Sequence, residues 1–154
     1  MPTFQPPPFK IYNASAGSGK TYTLVQSYLY RVLNSPYPQQ VKRLLAITFT
    51  NKAAQEMKGR ILEQLERFAE NKHDEMFEEL QRLCSLSSRE LQERAKKAYL
   101  YILHHYGHFN VSTIDKLTHQ IIRTFARDFG INPRFDVALD SKDFMAEVVD
   151  RVLS

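Results

Sequence analysis

The chain has 154 residues, 43% hydrophobic and 25% charged, which suits a soluble globular domain and excludes disorder over most of its length. A formal net charge of +4 permits a polyanionic partner without demanding one. The single cysteine, Cys84, excludes an internal disulfide and a Cys-rich zinc module. No apolar run approaches the roughly 18–20 residues of a membrane span, and Met1 to Pro8 lacks the basic and apolar regions of a secretion signal. A reducing, cytoplasmic setting without membrane association is the expectation.

Residues 1–8 are Pro-rich and form an irregular lead-in. Phe9 to Asn13 suits a buried strand. Helical periodicity follows in Leu24, Val25, Tyr28, Leu29, Val32 and Leu33, and Asn34, Ser35 and Pro36 stop it. Leu44 to Phe49 is a second strand, apolar nearly throughout, as expected when both faces are covered. A long helix starts at Asn51 with Ala54, Met57, Ile61, Leu65 and Phe68 on one stripe. Residues 70–86 contain a shorter acidic helix. Ser87 and Glu90 have capping-box spacing before a helix whose stripe is Leu91, Ala95, Tyr99, Ile102 and Tyr106, with Gly107 as its C′ residue. Phe109 to Ile114 is a third strand. Asp115 caps a helix carrying Leu117, Ile121 and Phe125 that ends near Gly130. Phe135 to Leu139 is extended, and Lys142 to Leu153 is helical.

Short apolar strands alternating with helices predict an α/β fold with parallel strands. Ala14-Ser15-Ala16-Gly17-Ser18-Gly19-Lys20-Thr21 lies between the first strand and first helix and fits the phosphate-loop pattern, with Ala14 at the usual first glycine. Small residues let backbone N–H groups turn inward around a phosphate, and the helix N-terminus adds partial positive charge. Lys20 reaches the β/γ oxygens and the Thr21 hydroxyl is placed to ligate Mg²⁺. A plain Gly/Ser turn capping a helix is the competing reading. The second strand ends in Thr48-Phe49-Thr50-Asn51-Lys52. An aromatic followed by polar residues at the C-terminal edge of a strand lies where open α/β sheets bind ligands, and it suits a single-stranded nucleic acid. A capped helix beside a core Phe fits the same residues.

Together, Ala14 to Thr21 and Thr48-Phe49-Thr50-Asn51-Lys52-Ala53-Ala54-Gln55-Glu56-Met57 resemble motifs I and Ia of superfamily 1 DNA helicases of the UvrD/Rep kind. Val111-Ser112-Thr113-Ile114-Asp115-Lys116-Leu117 is similar to the family's next motif, with Asp115 where the family has His. The long helix-filled gap before it, and the tail Gly130-Ile131-Asn132-Pro133-Arg134-Phe135, are similar to the RecB/AddA helicase–nuclease branch.

The resemblance implies a partial RecA-like P-loop NTPase domain, its first part over 9–69, a helical insertion over 70–107 between the second and third strands, and a return to the core over 108–154 that opens a following helical region. It implies ATP and Mg²⁺ held by Ala16, Gly17, Ser18, Gly19, Lys20, Thr21 and Tyr22, with Lys20 and Thr21 catalytic and Thr21 on the metal. It implies DNA contacts at Thr48, Phe49, Thr50, Asn51, Lys52 and Thr113, with Phe49 in the base-stacking position. The function implied is an ATP-dependent DNA helicase or helicase–exonuclease of recombination and repair, acting on single-stranded DNA or duplex ends with a possible partner subunit.

Val137-Ala138-Leu139-Asp140 is followed by Ser141, so the family's Asp-Glu pair is missing here. The second RecA-like domain and any nuclease domain are also missing. The chain is therefore expected to be the N-terminal part of a larger protein, inactive alone. The alternative from another class is a small-molecule P-loop kinase or transferase. His104 and His108 have zinc spacing but no third ligand, Cys84 suits a core thiol, and Arg89, Arg94, Lys96 and Lys97 suit a solvated helix face.

Overall fold

The computed structural model describes residues 11, 19–128, 130 and 132. The predicted strand at Phe9 to Asn13 lies outside them apart from Ile11, as do the extended segment from Phe135 and the helix from Lys142. Two compact units divide the chain, residues 1–114 and 115–154.

In the first unit, helix α1 is Lys20–Leu33, followed by a 3-10 turn at Pro38–Arg43 and strand β1 at Leu45–Thr48. Helices α2 (Asn51–Ala69), α3 (Glu75–Cys84) and α4 (Ser88–His104) then precede a short 3-10 turn at Tyr106–His108 and strand β2 at Asn110–Thr113. The strands are parallel, with Leu45 beside Asn110 and Thr48 beside Thr113. Three helices thus make the crossover, which a parallel pair requires in some form.

The core is built from the predicted stripes. On α1, Val25, Tyr28, Leu29, Val32 and Leu33 are buried, while Leu24 is half exposed. The five stripe residues of α2 are all buried, and Ile61, Leu65 and Phe68 are completely so. Helix α2 packs on α1, α4 and both strands. Phe68 meets Phe77 of α3 edge-on at 5.1 Å, a favoured aromatic arrangement. Asp74 caps α3 by accepting from the Phe77 N–H at 3.0 Å.

The predicted capping box of α4 forms in full. Ser87 Oγ accepts from the Glu90 N–H, and the Glu90 carboxylate accepts from the Ser87 N–H, each at 3.2 Å. The bond from the Ser87 N–H, and then one from the Ser87 hydroxyl at 2.9 Å, hold the Glu90 carboxyl below its ordinary value.

Several expectations are corrected. Ala98, not Tyr99, completes the buried stripe of α4, because a small side chain lets the helix approach its neighbours. Tyr99 instead reaches over α2 and donates its hydroxyl to Glu66 at 2.7 Å. Tyr106 falls beyond the helix and is 48% exposed. The helix ends on His105, whose N–H bonds back to Tyr101 and Ile102, so Gly107 has no left-handed cap to supply. Arg94 does not face solvent freely. Its Nη1 donates to the Leu33 and Asn34 carbonyls at 3.0 and 3.1 Å, satisfying acceptors at the negative end of α1.

The sheet is covered on one face only among the described residues. Val111 and Thr113 are buried, whereas Leu45 and Ile47 are 52% and 44% exposed. In the second unit, α5 runs from Ile114 to Phe125, so Asp115 lies in its first turn rather than at its cap. None of its residues is buried, and its chain turns through Gly130 at a positive φ of 67°.

Cys84 is a core thiol, 8% exposed. Burial pushes it from 9.0 up to about 11, against a smaller downward pull from Arg94. A raised folded value means the fold favours the neutral thiol. That contribution is intact below pH 9 and fades as pH climbs toward 11. Across this window, the native chain should lose more stability than Cys84→Ala, as read from urea midpoints. At neutral pH, Ile61→Ala should cost about 2–5 kcal/mol, while the exposed Lys97→Ala should stay within about 0.5 kcal/mol.

Candidate nucleotide and nucleic-acid site

Gly19 enters α1 in a left-handed conformation, with φ 77° and ψ 16°. Side-chain-bearing residues rarely adopt it, so glycine is required by backbone rather than by space: a Cβ there would meet nothing within 4 Å. As N-cap it offers no side-chain acceptor to the first helical N–H groups, and the first turn holds no acidic residue. Lys20 is exposed and Thr21 half-buried in that turn. This end of α1 thus carries partial positive charge with no acid to offset it, which suits an anion. Ala16, Gly17 and Ser18 lie outside the described residues.

Tyr22 is 40% exposed. Partial burial, then the carboxylates of Glu79, Glu75 and Asp74, push its phenol above the ordinary value. It rims a cavity of about 200 Å³ with Val25, Arg60, Glu63, Gln64 and Met76. The buried Gln64 Oε1 has no hydrogen-bond partner there. Sequence reasoning missed this cavity, because α1, α2 and α3 meet only in three dimensions.

At the end of β1 the chain bends. Thr48 Oγ1 donates to the Thr50 carbonyl at 3.1 Å, and Thr50 Oγ1 accepts from the Ala53 N–H at 3.1 Å. This Thr50 cap starts α2 and leaves Phe49 outside the core, 86% exposed. Among the described residues Phe49 is thus not part of the core. Asn51 and Lys52 are exposed in the first turn of α2, which holds no acidic residue. A cation there is the wrong sign for the helix dipole and the right sign for an arriving anion. Thr113 is brought beside Thr48, but its side chain is buried, 4% exposed. The histidines near the end of α4 do not share one helix: the 3-10 turn separates His108 from His104, and Tyr101 Oη lies 2.8 Å from His108 Nδ1.

A parallel strand pair, a left-handed glycine opening a helix, and an exposed aromatic before a second helix define the class. Residues 8–153 match the UvrD/REP helicase N-terminal domain, and the chain belongs to that family. Among curated relatives, it is 37% identical to an ATP-dependent helicase/nuclease subunit of Bacillus cytotoxicus over 142 residues, which is 91% of this chain and 10% of that protein. The proteins of the same name from Bacillus cereus and Bacillus thuringiensis are 34% identical over the same shares. The chain thus spans 10% of the length of these relatives. No solved structure matches it. No helix among the described residues is long and apolar enough to cross a membrane.

Gly19→Ala should keep the fold but strain the loop, costing about 1–2 kcal/mol. Thermal melting should show the loss, and titration with ATP–Mg²⁺ should show weakened binding.

Proposed function

We propose that this chain is the nucleotide- and DNA-binding part of an ATP-dependent DNA helicase of the helicase–nuclease kind, acting on duplex ends and single strands in recombination and repair. In this reading it forms part of a RecA-like domain and works in the cytoplasm. It also assembles with a partner, in keeping with relatives that are themselves named as one component of a helicase/nuclease. The observation that carries the DNA half is Phe49, 86% exposed at a strand end and flanked by Lys52 on a helix N-terminus.

Lys20 holds the terminal phosphates, and Thr21 contributes a hydroxyl to Mg²⁺. Bound ATP supplies the free energy of the cycle. Gly19 and the first N–H groups of α1 fix the phosphates without a competing acid. Phe49 offers its ring to a base, Asn51, Lys52 and the N-terminus of α2 hold the strand backbone, and Thr48 and Thr50 set the bend that aims them. Thr113, buried, acts by supporting Thr48 from the neighbouring strand.

Lys20→Ala should abolish measurable ATP–Mg²⁺ binding with the fold retained by circular dichroism; an unchanged dissociation constant sinks the assignment. Phe49→Ala should weaken single-strand affinity by roughly 1–3 kcal/mol, the range for one stacked base. Lys52→Ala should flatten the salt dependence by under about one unit of slope. The 154 residues alone should bind nucleotide yet show no hydrolysis above a Lys20→Ala control. A DNA-stimulated rate from them would favour the small-kinase alternative.

A further inference from the structure

The chain's charge is distributed unevenly. No Asp or Glu occurs before Glu56, and none between Glu93 and Asp115. The fold brings parts of these acid-free stretches to one place. Lys42 and Arg43 immediately precede β1, and Tyr106 to His108 immediately precede β2. The strands are parallel and in register, so both groups lie at the same sheet edge, opposite Phe49. The Asn110 side-chain amide donates to the Lys42 carbonyl at 3.4 Å and ties the two approaches together.

Helix α2 adds a third cation. Lys58 Nζ sits 5.0 Å from the Tyr106 ring centre and 5.8 Å from that of Phe109. Lys42 and Arg43 are exposed, and neither joins an ion pair among the described residues. Tyr106 is propped edge-on against buried Phe109 at 6.1 Å, with half its surface open. Positive charge around a braced, accessible aromatic is the combination that binds single strands. A membrane headgroup would use the charge and leave the braced ring without a role.

We propose that Lys42, Arg43, Lys58 and Tyr106 form a second single-stranded nucleic-acid contact, at the sheet edge opposite Phe49. It rests on the DNA reading above for the identity of its ligand. Asn51, Gln55 and Lys58, spaced i, i+4, i+7 along one flank of α2, link the two contacts. Arg43 and Phe49 are separated by roughly 20 Å of extended chain, beyond the roughly 7–10 Å within which substitutions couple, so their effects should add.

The test is fluorescence anisotropy of a labelled oligothymidine across a salt series. The Lys42→Ala, Arg43→Ala, Lys58→Ala triple variant should lower the slope of log affinity on log salt by about two units, at roughly 0.7 per phosphate. Tyr106→Ala should weaken binding roughly ten-fold, and Tyr106→Phe should restore it, because stacking needs the ring and not the hydroxyl. An unchanged slope in the triple variant, with binding still weakened by Phe49→Ala, overturns the second contact and leaves the first. No loss in either set overturns both. Binding to phosphatidylserine–phosphatidylcholine vesicles that the triple variant abolishes, with oligonucleotide affinity intact, overturns the proposal in favour of a membrane.

Discussion

The apolar stripe of α2 is the surface against which the unit 1–114 is built. Ile61, Leu65 and Phe68 are wholly buried in it, and α1, α4 and both strands pack on that helix. Fully burying one such side chain contributes roughly 1.5–3 kcal/mol, so the rotation of α2 about its axis is strongly fixed. That rotation has a consequence at its N-terminus. With Ala54 and Met57 turned inward, Lys52 must point away from the core, and the chain entering at Thr50 must leave Phe49 outside it. The exposed aromatic is therefore held in place by the burial of residues up to about five turns away.

The helices between the strands take part in the same core. Phe77 and Leu80 of α3 and Leu91, Ala95 and Ile102 of α4 join α1 and α2 in one buried cluster. Polar groups then fix how these helices meet. The Gln92 side chain donates to the Ala69 carbonyl at the end of α2, and Arg94 donates to the last carbonyls of α1. Each such bond satisfies an acceptor that the helix cannot satisfy itself. The helix bearing Lys20 at its start is thus secured at its far end by α4.

The helices were legible from period alone, because burying one stripe forces apolar residues to recur every three or four positions. A cap was legible where it uses local hydrogen bonds in a recognisable spacing, as at Ser87. What escaped sequence reasoning depended on neighbours distant in the chain. Tyr99 and Ala98 both fit a stripe, and only the approach of α2 decides which is buried. Arg94 looks like any exposed charge until the end of α1 arrives beside it. Leu45 and Ile47 suggested a sheet covered twice, since apolar strand residues do not reveal which partner covers them. At the site, Phe49 was ambiguous because core and stacking aromatics share one letter. Exposure bears on that choice, and exposure is a property of the fold.

Charge at the helix N-termini gives the reading its physical coherence. A helix beginning carries partial positive charge, so acids there stabilise and cations do not. Helices α3 and α4 obey this: Asp74 caps the first, followed by Glu75 and Glu78, and Glu90 closes the capping box of the second. Helices α1 and α2 do the reverse. Neither has an acid in its first turn, and each carries a lysine there, Lys20 and Lys52. Each such placement forgoes a few tenths to about 1 kcal/mol that an acid would contribute. The break falls at two helices that each follow a motif turn, although α5, after the third motif, keeps Asp115 in its first turn and α4 carries Arg89 beside Glu90. An external anion supplies a reason for the break, because it turns the same lysine from a repelled charge into a ligand. In the proposed function, phosphate at α1 and the strand backbone at α2 would be two uses of one electrostatic device, set on helices whose far ends the core already holds.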